Sequence, residues 1–235
     1  MIALVTGAGV RVGKAIALAL ARDGFDVIVH AGASSLDDTV AQIEAMGRKA
    51  YVERADLSQD DEVDALARRV VKAHPKLDVV VHSAGVFEEL AFKDITRERF
   101  RRMQRINAEA PFFLTQGLLP SLEGALVVHI VDVTAHRPIK KFAHYTMAKA
   151  ALYGLTKALC VELGPRVRVR GIAPGIVASF PKELDDAQQE RIVNRIPLKR
   201  TGEPEDVARA VVFLARAPYM NGVVLPVDGG WMVTP

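Results

Sequence analysis

Short apolar runs that alternate with longer helical patterns constrain the fold of this chain more than any other feature. The runs are rich in Val, Ile and Leu. Runs of this kind are typical of strands buried on both faces, as in a parallel sheet covered by helices. The predicted strands are 2–6, 26–30, 49–53, 78–82, 125–131, 167–172 and 223–227, and the predicted helices lie near 12–23, 36–47, 59–73, 97–120, 143–163 and 204–215. This alternation predicts a doubly wound α/β fold. No linker or repeat divides the chain, so we expect one domain over residues 1–235.

The bulk composition argues against several kinds of partner. The chain has 235 residues, half of them apolar, and a formal net charge of only +3, which is too small to argue for nucleic acid. Cys160 is the only cysteine, so no intrachain disulfide is possible, which suits a reducing compartment. The chain enters a strand at once, leaving no room for a signal peptide, and no apolar run approaches the roughly 20 residues of a membrane span. We therefore expect a cytoplasmic protein with no membrane partner.

A glycine-rich turn, Thr6-Gly7-Ala8-Gly9-Val10-Arg11-Val12-Gly13, joins the first predicted strand to the first helix. Glycines at such a junction permit a tight turn and close approach of the backbone to a pyrophosphate. The helix N-terminus then directs free N–H groups and a partial positive charge at the phosphates. We therefore expect Gly7, Arg11, Val12 and Gly13 to contact a dinucleotide, with a plain strand-to-helix turn as the alternative.

The end of the second strand indicates which dinucleotide binds. An acidic residue there would bind the two ribose hydroxyls of NAD. His30 is instead followed by Ala31-Gly32-Ala33-Ser34-Ser35, which contains no acid. Ser34, Ser35 and Arg11 could donate hydrogen bonds to a 2′-phosphate, which favours NADP(H) over NAD(H). The alternative is that these small polar residues only form a turn.

Tyr145 and Lys149 lie one helical turn apart, with Asp132 thirteen residues before the tyrosine. A phenol has an unperturbed pKa of about 10, and an ammonium group on the same helix face should lower that pKa. A tyrosine adjusted in this way can pass a proton to a substrate. A purely structural helix is the alternative for this pair.

Two further positions stand out between the glycine-rich turn and the tyrosine. Asn107 lies inside a long helical pattern, where asparagine has weak intrinsic support. Its amide could leave the helical hydrogen-bond ladder to bind a water, or its placement could be chance. Asp56-Leu57 follows the third strand, and a simple cap for the next helix is the alternative to a functional role.

These motifs together resemble the short-chain dehydrogenase/reductase family over essentially the whole chain. The resemblance also includes Ser83-Ala84-Gly85, Pro174-Gly175 and Val227-Asp228-Gly229-Gly230. It implies a Rossmann-like, seven-stranded parallel sheet with helices on both faces, a nicotinamide dinucleotide cofactor, a small-molecule substrate, and a homotetramer or homodimer. The cofactor-binding residues that it implies are Gly7, Arg11, Val12, Gly13, His30, Ser34, Asp56, Leu57, Ala84, Gly85, Tyr145, Lys149, Pro174, Gly175 and Val177.

The family resemblance also implies catalytic roles. Tyr145 would deliver a proton, and Lys149 would hold the nicotinamide ribose and lower the pKa of the tyrosine. Asn107 would fix a water that links Lys149 to solvent. Val177 would meet the nicotinamide carboxamide through its backbone, and the segment 176–198, with Ser179, Phe180 and Pro181, corresponds to the loop that covers substrate in relatives.

Three departures from the commonest family pattern are similar to the pteridine reductase branch. Arg11 stands where glycine is usual, Asp132 stands where serine is usual, and Phe87 follows Ser83-Ala84-Gly85. In that branch, the arginine lies near the cofactor phosphates and substrate, the aspartate works with the tyrosine, and the phenylalanine sandwiches a pterin against the nicotinamide. Two positions do not match the resemblance, because Ser83 replaces an amide side chain and Ala33 replaces a basic residue.

Asp132 also favours a substrate class on chemical grounds. A carboxylate opposes the negative charge that develops on a reduced carbonyl oxygen, whereas a pterin nitrogen needs a proton. We therefore predict reduction of a pterin C=N bond, with Arg11, Phe87, Asp132 and Tyr145 at the substrate. Thr134 could supply a substitute hydroxyl if the strand continues that far, so the alternative is a 3-oxoacyl-carrier-protein reductase or a general ketone reductase, which Arg200-Thr201-Gly202-Glu203-Pro204 resembles.

A remoter alternative is a protein that senses NADP(H) without chemistry. No spacing of His129, His136 and His144 with other ligands suggests a metal. Trp231 could pack across a subunit interface or fold over its own chain.

Overall fold

The computed structural model describes residues 1–177 and 185–234. Seven strands form one parallel sheet in the order β3-β2-β1-β4-β5-β6-β7. The strands are β1 Ile2–Thr6, β2 Asp26–Ala31, β3 Ala50–Arg54, β4 Val79–His82, β5 Leu126–Ile130, β6 Arg168–Pro174 and β7 Val224–Val227. The predicted doubly wound fold is confirmed, and the order reverses between β1 and β4, which is where such sheets bind ligands.

Eight α-helices lie among the described residues. They are α1 Arg11–Arg22, α2 Asp37–Ala45, α3 Asp60–Ala73, α4 Arg97–Gln104, α5 Ala110–Leu118, α6 Ala143–Leu163, α7 Asp186–Arg195 and α8 Pro204–Arg216. No helix in this part of the chain is long and apolar enough to cross a membrane.

The central strands are buried on both faces because each face packs against helices. On one face, Val5, Val29 and Val128 pack with apolar residues of α1 and α8. On the other face, Leu4 and Val127 pack with residues of α3 and α5. Removing this much apolar surface from water is the main favourable term in folding, and it explains why the strand sequences lack polar alternation.

A polar row crosses the sheet near the carboxyl ends of the strands. Thr6 pairs in register with His30 and His82, and His82 pairs with His129. All four side chains are buried. The hydroxyl of Thr6 accepts hydrogen bonds from the backbone N–H groups of Ser83 and Ala84, each at 3.0 Å. Thr6 therefore fixes the chain as it leaves β4 for the ligand-binding edge.

Two helical segments differ from the sequence prediction. The helix predicted at 97–120 is divided, because a π-helical segment, Arg105–Glu109, separates α4 from α5. Such segments are frequent at functional sites, and this one contains Asn107. Helix α7 lies within the segment expected as a loop at 176–198. Its Asp185 and Gln188 form a reciprocal capping box, a sequence signal that could have predicted the helix start.

Candidate active site

One cleft of about 1190 Å³ lies at the carboxyl edge of the sheet, over the reversal of strand order. Most residues that the sequence analysis assigned to the cofactor, the substrate or catalysis line this cleft, whereas Ser35 is not among the lining residues. The assigned residues that line it are Gly7, Arg11, Val12, Gly13, His30, Ser34, Asp56, Leu57, Ala84, Gly85, Phe87, Asn107, Asp132, Tyr145, Lys149, Pro174, Gly175 and Val177. Ser179, Phe180 and Pro181 lie outside the described residues.

The glycine-rich turn has no room for side chains at two positions. Gly7 has φ +70°, and a Cβ there would lie 2.8 Å from the Cα of Ala84. A Cβ on Gly13 would lie 2.0 Å from the carbonyl oxygen of Gly7. The turn therefore packs directly against its own backbone and against the segment after β4.

The N-terminus of α1 offers an anion site at this turn. Val10 gives the helix no side-chain cap, and no acidic residue lies in its first turn. The free N–H groups and partial positive charge of such a terminus suit a phosphate. Arg11 adds a cation, and it has φ 51°, a conformation that is strained for residues other than glycine. These features fit the pyrophosphate of a dinucleotide.

The loop after β2 contains the residues expected at the adenosine ribose. His30 is buried, and its Nε2 lies 3.1 Å from the carbonyl oxygen of Ala55. Burial lowers the pKa of His30 to about 4, so its ring is neutral and supports the interior. The hydroxyl of Ser35 donates to Asp37 at 2.9 Å. The hydroxyl of Ser34 is engaged by no hydrogen bond from the described residues.

Asp56 lies beside this loop and organises the turn before α3. Its Oδ1 accepts hydrogen bonds from the backbone N–H of Ser58 at 2.9 Å and from the Ser58 hydroxyl at 2.8 Å. These bonds hold the pKa of Asp56 below its usual value. Asp56 therefore orders the turn before α3 and does not cap the helix, whose N-cap residue is Gln59, and Asp56 also lines the cleft.

Tyr145 and Asp132 form the central contact of the cleft. The tyrosine hydroxyl donates to Oδ2 of Asp132 at 2.8 Å, and the backbone N–H of Thr134 donates to Oδ1 at 2.8 Å. Burial raises the pKa of Tyr145 well above its ordinary value, and the charge and hydrogen bond of Asp132 raise it further. The prediction that Lys149 makes this phenol acidic is therefore wrong for the protein chain by itself.

Lys149 donates its hydrogen bond to the backbone and not to the tyrosine hydroxyl. Its Nζ donates to the carbonyl oxygen of Ile130 at 2.9 Å and lies 5.7 Å from the centre of the Tyr145 ring. Burial lowers the pKa of Lys149 to about 8, against the opposite effect of the Asp132 charge. The lysine therefore lies beside the pair but is held by the end of β5.

Asn107 lies in the π-helical segment, where the α-helical hydrogen-bond ladder is interrupted, and the bound water expected from the sequence stays a prediction. Its side-chain amide donates to the carbonyl oxygens of Val86 and Met103, each at 3.1 Å. Its Oδ1 is buried and has no hydrogen-bond partner. Both this oxygen and Nζ of Lys149 face Gly85, at 2.7 and 3.7 Å from where its Cβ would be. An unpaired buried acceptor close to an ammonium group suits a bridging water.

An aromatic wall borders the reacting end of the cleft. Phe87 is 56% exposed, stacks on Phe142 with centroids 4.4 Å apart, and meets Tyr145 edge-on at 4.8 Å. Trp231 also lines the cleft and packs against Val133 and Ile196. Of the two placements expected from the sequence, the structure therefore shows Trp231 folded over its own chain. The site is therefore apolar on the side of the Tyr145 ring that meets Phe87.

Sequence reasoning missed several lining residues. Arg54, Phe142, Ile192 and Trp231 all border the cleft. The sequence analysis expected the Thr134 hydroxyl at the site if the fifth strand continued that far. The strand does not, because β5 ends at Ile130 and Thr134 lies in a 3₁₀ turn. The Thr134 hydroxyl is nevertheless buried without a partner. Only contacts between segments distant in the sequence could have identified Arg54, Phe142, Ile192 and Trp231 as lining residues.

The part of the chain that the structure describes contains no group of three His, Cys, Asp or Glu side chains placed to hold a metal.

Comparisons with known proteins show the family of this chain. A family model described as Enoyl-(Acyl carrier protein) reductase matches residues 7–232. A 3-oxoacyl-[acyl-carrier-protein] reductase from Synechocystis is 35% identical, and the match covers 99% of this chain and 97% of the relative. The solved structure of the acetoin dehydrogenase YohF from Salmonella typhimurium has a TM-score of 0.90 at 30% identity, covering 100% of this chain and 96% of the other.

A second solved structure contains a cofactor. It is the angucycline C-6 ketoreductase LanV with bound NADP, which has a TM-score of 0.92 at 29% identity and covers 99% of this chain and 95% of the other. The chain belongs to the short-chain dehydrogenase/reductase family and is an oxidoreductase of that family. Proteins of this family bind nicotinamide cofactors.

Proposed function

We propose that this protein is an NADPH-dependent reductase of a flat heteroaromatic C=N bond, of the pterin type. The observation that carries the proposal is the hydrogen bond from the Tyr145 hydroxyl to Asp132, at 2.8 Å beside the exposed ring of Phe87. A bound reduced nicotinamide would supply a hydride to the carbon of the C=N bond. The protein must then deliver one proton to the nitrogen.

The Tyr145–Asp132 pair suits that proton transfer. Because the pKa of Tyr145 is raised, the phenol keeps its proton at neutral pH and can act as a general acid. Asp132 aligns the hydroxyl, and its charge would penalise an oxyanion more than a nitrogen that becomes protonated. Lys149 and the unpaired Oδ1 of Asn107 lie where a water could replace the proton.

The choice of NADP(H) rests on the far end of the cleft. No acidic residue lies at positions 31–36, directly after His30, where an acid would hydrogen-bond the ribose hydroxyls of NAD. Arg11 and Ser34 line that end and could donate to a 2′-phosphate. The related ketoreductase LanV contains bound NADP. NAD(H) is the alternative cofactor.

The flat shape of the proposed substrate rests on the aromatic wall. One face of Phe87 is covered by Phe142, while the phenylalanine remains 56% exposed in the cleft. Aromatic rings prefer offset-stacked neighbours, so an exposed ring beside the proton donor favours a planar substrate. Arg11 would stabilise the cofactor phosphates and an electron-rich edge of the same substrate.

A second candidate function is reduction of a ketone or of a 3-oxoacyl thioester. It is favoured by the unpaired, buried hydroxyl of Thr134 in the cleft, which is a neutral donor, and by the Synechocystis 3-oxoacyl-[acyl-carrier-protein] reductase. On this candidate, Thr134 and Tyr145 would both donate to the carbonyl oxygen.

NADPH oxidation measured by its absorbance would separate the candidates. The purified protein is assayed against dihydrobiopterin, dihydrofolate and an acetoacetyl thioester, each with NADPH and NADH. We expect the highest kcat/KM with a dihydropterin and NADPH. Turnover of the thioester alone would replace the pterin proposal by the second candidate. No turnover of any substrate would favour a protein that senses the dinucleotide without chemistry.

We also propose that the protein acts as a homotetramer or homodimer. Phe112 and Phe113 on α5 are 40% and 50% exposed, and Val161 on α6 is 82% exposed. Large apolar side chains on neighbouring helices suit burial against a second copy. Size-exclusion chromatography with light scattering tests the assembly, and a monomer at micromolar concentration would contradict it.

A further inference from the structure

Arg54 occupies a position in the cleft that neither the sequence motifs nor the family pattern assign. It is the last residue of β3 and pairs in register with Ala31 at the end of β2. Sheets of this type recognise the adenosine ribose beside the end of the second strand. The side chain of Arg54 is exposed and lines the cleft. A neighbouring strand therefore brings a cation to the ribose position, although the loop after β2 contains none.

The guanidinium of Arg54 is held through one of its three nitrogen atoms. Its Nη1 donates to the carbonyl oxygens of Gly32 at 3.1 Å and Ser34 at 2.5 Å. Its Nη2 and Nε make no hydrogen bond, and the group forms no ion pair, with any residue in 1–177 or 185–234. A planar guanidinium held in this way presents a second edge with parallel N–H groups, which matches two oxygens of a phosphate.

The residues around Arg54 leave room for such an anion. Ser34 lies next to the glycine-rich turn, since a Cβ on Gly9 would be 2.6 Å from the Ser34 hydroxyl. The nearby carboxylates have partners of their own. Asp56 accepts from Ser58, and Glu62 accepts from the backbone N–H of Asp56 at 2.6 Å. Arg54 is thus a cation without an ion-pair partner beside the unpaired hydroxyl of Ser34, near the end of β2, where sheets of this type recognise the adenosine ribose.

We propose that Arg54 recognises the 2′-phosphate and sets the preference for NADPH, assisted by the hydroxyl of Ser34. The proposal rests on the proposed function, because it takes NADPH as the cofactor. It differs from the sequence prediction in assigning the main contact to a residue of β3 instead of Arg11. Arg54 acts on cofactor choice and has no part in proton transfer.

Isothermal titration with two ligands that cannot react tests this role. The ligands are ADP-ribose and its 2′-phosphorylated form, which differ only in the phosphate. Wild-type protein should bind the phosphorylated ligand more tightly. Arg54→Gln should weaken binding of that ligand by about 10- to 100-fold, as expected for loss of a charge-assisted bidentate contact, and change ADP-ribose binding by less than about 3-fold.

Arg69 provides a matched control. It donates to the backbone carbonyl of Arg54 at 2.8 Å and to the Glu53 carboxylate at 2.9 Å, and it does not line the cleft. Arg69→Gln removes the same charge from α3 beside the end of β3 and should leave the ligand preference unchanged. An equal loss of preference in this variant would make the effect a general one of charge and overturn the assignment.

The remaining outcomes separate this proposal from the choice of cofactor. If wild-type protein prefers the phosphorylated ligand and Arg54→Gln keeps that preference, the role of Arg54 is refuted while the NADPH proposal stands. If Arg54→Gln weakens both ligands equally, the residue only supports the loop, which also refutes it. If wild-type protein shows no preference, NADPH dependence itself fails. Arg54→Lys should retain part of the preference, because lysine keeps the positive charge but lacks the parallel N–H groups of the guanidinium.

Discussion

Tyr145 donates its hydroxyl hydrogen to Asp132 at 2.8 Å, and the nearest lysine of the same helix, Lys149, donates instead to the carbonyl oxygen of Ile130. The phenol is thus held by a carboxylate and kept protonated. A cofactor ribose between the tyrosine and the lysine would add further hydrogen bonds to this arrangement. Asp132 therefore adds to burial in raising the pKa of Tyr145, and in the proposed function the same aspartate selects the class of substrate.

Replacing Tyr145 by phenylalanine should remove the general acid. We expect kcat to fall by roughly 10² to 10⁴, the range for a lost acid catalyst. The dissociation constant for NADPH should change by less than about 3-fold, because the lysine and the glycine-rich turn remain. Steady-state kinetics and fluorescence titration of NADPH measure the two quantities. Unchanged turnover would contradict the role of Tyr145.

Replacing Asp132 by serine should change substrate preference. The variant loses a carboxylate that opposes a developing oxyanion, so reduction of simple ketones should improve while dihydropterin reduction falls by about 10-fold or more. The ratio of kcat/KM for the two substrates is the measurement. Asp132→Asn is a useful comparison, since it removes the charge and keeps the shape. If dihydropterin turnover stays level in both variants, Asp132 does not set specificity.

The same substitution should lower the pKa of Tyr145. Burial is the largest cause of the raised pKa, and the charge and hydrogen bond of Asp132 are the next two. Removing the carboxylate therefore leaves only burial to oppose ionisation. Ultraviolet titration of phenolate absorbance should show one tyrosine ionising at lower pH in Asp132→Ser than in wild-type protein. Tyr145→Phe in the Asp132→Ser background identifies that signal, which should then disappear.

Replacing Gly13 by alanine should destabilise the protein and weaken dinucleotide binding. The new Cβ would lie 2.0 Å from the carbonyl oxygen of Gly7, so backbone must move, at a cost of about 1–3 kcal/mol or more. Urea unfolding measures the loss. Gly32→Ala is the matched control in the same cleft, because its Cβ would make an ordinary contact of 3.6 Å with Ala55. Equal stability of the two variants would refute the explanation.

Stability should fall as the pH drops below about 6.5. Burial lowers the pKa of His30 to about 4 and of His82 to about 3. Between the unfolded and folded pKa values, the unfolded chain binds more protons, so acid favours unfolding there. The effect of His30 alone is on the order of 3 kcal/mol across that range. Urea midpoints between pH 7 and pH 4 measure it. His30→Gln should flatten the dependence, and an unchanged slope would exclude His30 as a cause.

The strand sequences alone were enough to predict the sheet. Each central strand is apolar on both faces, and that pattern follows directly from burial between two helical layers, so all seven strands could be located along the chain. The Gly7–Gly13 turn could also be predicted, because close backbone packing excludes side chains there whatever the rest of the fold does. The division at Arg105–Glu109 was not predicted, since Asn107 alone does not specify where a helix widens.

The sequence by itself determined the α/β architecture, because periodicity reports local backbone geometry and burial, and its resemblance to the short-chain dehydrogenase/reductase family implied most of the residues that meet in the cleft. Only the tertiary structure decided which group holds the Tyr145 hydroxyl, and that Arg54 of β3 reaches the loop after β2. Acidity and cofactor recognition depend on desolvation and on contacts between segments far apart in the chain. Desolvation and long-range contacts are set by the packing of strands and helices, so the spacing of residues along the sequence does not reveal them.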